Sequence, residues 1–190
     1  MGNDRLAEFR FDAGTLCLDF VATLGRRGRP AHRRVERIPT PARLRDWLLA
    51  TGLVDSDAVV TRSDLVSAVV LREAIFGLVR GVLDGENVTA DARAVNHWAE
   101  FPVATPRFDP GTVSVTYHSA EPIGAALAQI ARDAVVTAAR ATRLPVLVCG
   151  QDDCRMLFID RSRGKPRRWC SQSRCGNRAK VAAYRERRTK

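Results

Sequence analysis

The sequence predicts an α+β chain. A mostly helical N-terminal domain over residues 1–144 carries a small antiparallel β-hairpin. A small C-terminal four-cysteine module over residues 145–190 follows, built as a treble-clef-like or ribbon-like hairpin plus helix. Three observations carry this prediction. Two long stretches repeat apolar residues at spacings of three and four, the period of one helix face. Val113, Val115 and Tyr117 alternate with Ser114, Thr116 and His118, the period of a half-buried strand. Four of the five cysteines fall in the last 42 residues as Cys149-x4-Cys154-x15-Cys170-x4-Cys175.

The first apolar residues are Phe11, Leu16, Leu18, Phe20, Val21 and Leu24. They belong in a core, as strand or helix. Cys17 lies among them without a partner and reads as a small core residue. Residues 25–41 read as an irregular basic loop from Arg26 to Arg37, ending at Pro39 and Pro41. Residues 43–51 form a short helix with Leu44, Trp47 and Leu48 on one face, closed by Gly52. Residues 63–84 form a long helix. Ala68, Leu71, Ile75, Leu78 and Val82 share its face, and Gly85 stops it. Residues 90–100 form another. The turn at Asp109-Pro110-Gly111 joins residues 103–108 to the alternating strand. Residues 121–142 form a second long helix with Ile123, Leu127, Ile130, Ala134, Ala138 and Ala141 in register, broken by Pro145.

In the module, Val146–Val148 is a short strand entering Cys149, and a tight turn brings Cys154 back beside it. Residues 156–160 and 167–169 read as a hairpin, and a helix follows Cys175 with Val181 and Tyr184 toward the module's core. That core is very small. Chains this short require a metal or disulfides. Two close cysteine pairs separated by a hairpin-length gap are how such a module gathers four thiolates around one Zn²⁺. With Cys149, Cys154, Cys170 and Cys175 all bound, no position is left for water or substrate, so the zinc is structural. Reactive or disulfide-forming thiols, and simple burial, are the alternatives.

The chain has 190 residues, 45% hydrophobic and 27% charged, the composition of a soluble globular protein. No apolar run reaches the roughly 18 residues of a membrane span. Leu16 to Leu24 is interrupted by Asp19 and lacks the basic start of a secretory signal. A cytoplasmic location is expected, where paired cysteines bind metal more often than they form disulfides. His32, His97 and His118 are dispersed, and there is no P-loop, GxGxxG or nucleophile elbow. No enzyme and no catalytic residue is expected.

The net charge of +10 is uneven. Residues 145–190 hold 13 Arg and Lys against 4 Asp and Glu, an asymmetry that points to a polyanionic partner. Arg163, Lys165, Arg167 and Arg168 crowd the expected hairpin; Arg178, Lys180 and Arg185 line the last helix. These seven are the candidate nucleic-acid contacts, since arginine forks match phosphate oxygens. A solvated basic surface or an acidic protein partner is the alternative. Trp169 reads as core rather than a base-stacking platform. Ser171 and Asn177 read equally as donors to thiolate sulfur or as helix caps.

The run Cys149-x4-Cys154-Arg-Met-Leu-Phe-Ile-Asp160-Arg-Ser162, then Arg167-Arg168-Trp169-Cys170-Ser171-x3-Cys175-Gly176-Asn177-Arg178-x-Lys180, resembles the CGNR-type zinc finger family. Gly14-Thr-Leu-Cys-Leu-Asp-Phe-Val21 is similar to the start of the ABATE domain that commonly precedes this finger. The resemblance implies a bacterial regulator, described as stress-induced, whose finger contacts DNA; RNA stays open. It leaves open a homodimer and a small-molecule ligand for residues 1–144. Two other readings stand beside it: a zinc module for protein or interdomain contacts, and a thiol-based redox sensor.

Overall fold

The computed structural model describes residues 8–162 and 164–188. Along the chain run α1 (Leu16–Val21), β1 (Leu24–Gly25), a 3-10 turn (Ala31–Arg33), β2 (Val35–Glu36), α2 (Pro41–Ala50), α3 (Arg62–Asp84) and α4 (Thr89–Ala99). Then come β3 (Thr105–Asp109), β4 (Ser114–His118), α5 (Pro122–Arg140), β5 (Val146–Val148), β6 (Leu157–Ile159), a π turn (Gln172–Gly176) and α6 (Asn177–Arg188). The chain forms two compact units. One is Ile38–Ala139; the other joins the stretch ending at Arg37 to the stretch beginning at Arg140.

The Ile38–Ala139 unit is helical, with one hairpin. Helix α2 starts where Thr40 accepts a hydrogen bond from the Arg43 amide at 3.3 Å, with Pro41 at the first helical position. It buries Leu44, Trp47 and Leu48. Helix α3 opens on a reciprocal capping box. The Asp64 amide donates to the Thr61 hydroxyl at 3.2 Å, and the Thr61 amide donates to the Asp64 carboxylate at 2.8 Å. It ends at Gly85, whose φ of 70° is the left-handed cap that glycine allows. Ala68, Leu71, Ile75 and Leu78 form its buried face. Helix α5 buries Ile123, Leu127, Ile130, Ala134 and Ala138.

Strands β3 and β4 pair antiparallel from Thr105↔His118 to Asp109↔Ser114. The Asp109 carboxylate accepts from the Gly111 amide at 2.8 Å and the Thr112 hydroxyl at 2.7 Å, which sets the turn. The expected half-buried face is not found: Val115 is 55% and Tyr117 58% exposed, and every β4 residue is exposed. Period-2 alternation reports an amphipathic strand. Burial requires a covering layer as well, and this two-stranded ribbon presents both faces.

The second unit holds the cysteines. Helix α1 buries Cys17, Leu18, Phe20 and Val21 and packs on β6. The Ile159 amide donates to Ala13 O at 2.7 Å. Gly14, at a φ of 106°, lies where any side chain would press on Ile159. Residues 25–41 are more ordered than a loop. β1 and β2 pair as Leu24↔Glu36 and Gly25↔Val35 around the 3-10 turn.

Two expectations in the module are corrected. Residues 157–159 pair with Val146–Val148, as Val146↔Ile159 to Val148↔Leu157, and not with residues 167–169. Asp160 diverts the chain: its carboxylate accepts from the amides of Ser162 at 3.0 Å and Arg167 at 2.8 Å. Helix α6 buries no residue, and Val181 is 41% and Tyr184 54% exposed. Residues 13–21, from the far end of the sequence, pack on β6 of the module.

Candidate metal centre and nucleic-acid interface

Strand β5 delivers Cys149 to a tight knuckle. The Cys149 amide donates to Met156 O at 2.8 Å and the Cys154 amide to Gln151 O at 2.8 Å, with Arg155 at a φ of 53°. Gly150 N donates to Arg168 O at 2.9 Å, which ties the knuckle to the segment carrying Cys170. The π turn then returns Cys175, whose amide donates to Ser171 O at 3.0 Å.

All four sulfurs are buried, none is disulfide-bonded, and they lie within 4.8 Å of one another. Cys154 and Cys170 sulfurs are 3.8 Å apart, and those of Cys170 and Cys175 are 3.6 Å apart. A tetrahedron of sulfurs about 2.3 Å from a central ion has edges of about 3.8 Å, whereas a disulfide is about 2.05 Å long. The donor set therefore fits a structural zinc ion, which Cys149, Cys154, Cys170 and Cys175 would hold. Four thiolates leave the ion no open position for chemistry. Cys17 is buried apart from this cluster.

The sulfurs are crowded enough to shape one another's ionisation. Cys175 is pulled well below the usual thiol range, first by hydrogen bonding from Cys149 and the other cysteines, with Arg178 adding. Cys149 is also lowered, first by hydrogen bonding with Cys154, while Cys154 and Cys170 are raised, first by hydrogen bonding with Cys149. Such neighbours titrate as a group.

Positive charge meets the sulfurs directly. Arg10 donates from both terminal nitrogens to Cys170 Sγ, at 3.7 and 3.6 Å. Arg178 donates to Cys175 Sγ at 3.2 Å. Each is held in turn by a carboxylate: Arg10 by Asp12 at 3.1 Å, Arg178 by Asp153 at 2.9 Å. Asp12 also meets Arg174 at 3.5 Å, and Asp153 meets Arg29 at 3.8 Å. The Arg27 amide donates to Cys154 O at 3.2 Å. Beside it Gly28 lies so close to the Asp152 carbonyl that an added Cβ would overlap it. The stretch 26–29 is thus seated on the knuckle.

Among the described residues, the side-chain donors to sulfur include Arg10 and Arg178, not Ser171 or Asn177. The Ser171 hydroxyl pairs with that of Ser173 at 3.1 Å. Arg10, Asp12 and Asp153 escape a reading of the sequence, since no spacing links residue 10 to residue 170.

The seven nucleic-acid candidates divide by their bonds. Arg167 is tied inward: its side chain donates to Asp160 at 3.1 Å and Ile159 O at 2.8 Å and lies over the Phe158 ring at 4.9 Å. Arg178 is bound to sulfur and carboxylate as described. Arg168 is exposed and stacks on Trp169 at 4.6 Å, leaving Trp169 half-buried. Lys165, Lys180 and Arg185 are exposed. Arg163 lies outside the described residues.

Residues 14–141 match the model of the ABATE family, described as "putative stress-induced transcription regulator". Residues 146–188 match the CGNR zinc finger model. Neither is an enzyme family. No curated protein matches the chain. Among the described residues no helix is long and apolar enough to cross a membrane.

Proposed function

Because the chain belongs to the ABATE family and carries a CGNR zinc finger, we propose that it is a bacterial cytoplasmic transcription regulator whose finger contacts DNA. The observation that carries this reading is α6. It is a helix with no buried residue that bears Lys180, Arg185, Arg187 and Arg188 beyond the inward-bonded Arg178, attached to a knuckle that would hold the zinc ion. Arg168 and Lys165 extend the same cationic character from the preceding segment. Side chains of this kind bind phosphate oxygens and position a protein on a duplex.

Fluorescence anisotropy on duplex DNA tests it. Log affinity falls linearly with log salt, and the slope loses about 0.9 in magnitude for each phosphate contact removed. The variant Lys165→Ala/Arg168→Ala/Lys180→Ala therefore binds more weakly, with a shallower slope and unchanged zinc content. Equal slopes for variant and wild type would refute the assignment of these residues.

A second reading makes the finger a protein-contact module. Val181 and Tyr184, exposed on α6, favour it. Under that reading duplex DNA gives no salt-dependent binding at all.

A further inference from the structure

We propose that the cysteine-bearing unit contains a binding site for a small organic anion, a phosphate or carboxylate head on a short apolar body. A cavity of about 290 Å³ opens beside the metal centre, near the lower end of the volumes that small-molecule sites occupy. Five arginines from two distant stretches line it: Arg10, Arg26 and Arg37 from one, Arg174 and Arg178 from the other. No Asp or Glu does. The remaining wall is largely apolar, from Leu24, Val35 and Met156 among others.

The five do not share one role. Arg10 and Arg178 spend their charge on Cys170, Cys175 and their own carboxylates, and Arg174 meets Asp12. Arg26 and Arg37 are left for the cavity. Arg37 is only 7% exposed. Its Nε donates to Glu8 O at 2.8 Å and one terminal nitrogen to Ala22 O at 3.0 Å. Those neutral carbonyls orient the fork without pairing its charge, which Cys154 and Glu36 offset only in part. Gly25 is the residue that lets it in, since an added Cβ there would strike the guanidinium. Burial, then the charges of Arg10 and Arg174, lower Arg37 to about 10. Arg26 has its Nε buried with no hydrogen-bond partner among the described residues. A buried guanidinium and an unpartnered N–H beside an apolar wall are what recognise an oxyanion head and a nonpolar body.

The site stands whether or not DNA is the partner. Isothermal titration calorimetry of the zinc-loaded full chain, at fixed ionic strength, uses phenyl phosphate, inorganic phosphate and neutral phenol as probes. Phenyl phosphate saturates one site per chain, inorganic phosphate binds more weakly, and phenol gives no saturable heat. Arg37→Met and Arg26→Met each weaken phenyl phosphate about tenfold or more, at unchanged zinc stoichiometry. If Arg37→Met does not fold, Arg26→Met, at a half-buried position, carries the test. Unsaturable heats, or full affinity in Arg26→Met, would overturn the proposal. So would displacement of phenyl phosphate by duplex DNA, which would make the cavity a seat for a backbone phosphate.

Discussion

Arg10 and Arg178 place guanidinium nitrogens on Cys170 and Cys175 from opposite ends of the sequence. A zinc ion with four thiolates carries a formal charge of about −2, and these two arginines offset it where it is buried. Hydrogen bonds to ligating sulfur also hold each ligand in place, and losing such an outer contact typically lowers metal affinity about 10- to 100-fold. Arg10→Met should therefore release zinc to a chromogenic chelator faster and bind it more weakly within that range. Zinc affinity equal to wild type would mean that Arg10 only packs. The burial of Arg10, 93% by area in the sense that 7% remains exposed, is tolerable because Asp12 and the sulfur share its charge.

The segment between β6 and Cys170 is organised by one carboxylate. Asp160 accepts from two amides, the Ser162 hydroxyl and the Arg167 side chain, and its pKa is drawn from 3.8 to about 2, first by the Arg167 amide. A depressed carboxylate stabilises the fold above its unfolded pKa, and that stability is lost only as pH falls through the folded value. Asp160→Asn should lower the thermal midpoint by the same amount at pH 7 and at pH 5, since the wild-type carboxylate is ionised at both. A difference that shrinks by pH 5 would contradict this. Here the limits of the sequence are visible. The C-terminal end of α3 was legible because Gly85 is a local signal, and the cysteine pairs because their spacing encodes a knuckle. The partner of β6 was not, because Val146–Val148 and residues 167–169 are both short and near, and only a side chain's hydrogen bonds decide between them. Nor did the alternation in β4 say whether anything would cover it.

At the scale of the molecule, a single centre organises residues that lie far apart in the chain. The stretch through Arg37 reaches the cysteines by α1 on β6, by Ala13 O, by Arg10 on Cys170 and by the 26–29 turn on the knuckle. A short module with so little core of its own depends on such additions and on metal. Structural zinc supplies on the order of 10–16 kcal/mol, enough to govern whether this unit is folded. None of these long-range contacts leaves a periodic or compositional trace, which is why the sequence announces the four ligands and hides the residues packed around them.

Hydrogen–deuterium exchange on the reduced full chain, before and after zinc is removed by chelation, tests this most directly. The account predicts that amides in residues 13–37 lose protection together with those in 146–177, while the interior of α3 keeps its own. Protection of residues 13–37 that persists after the metal has gone would contradict it.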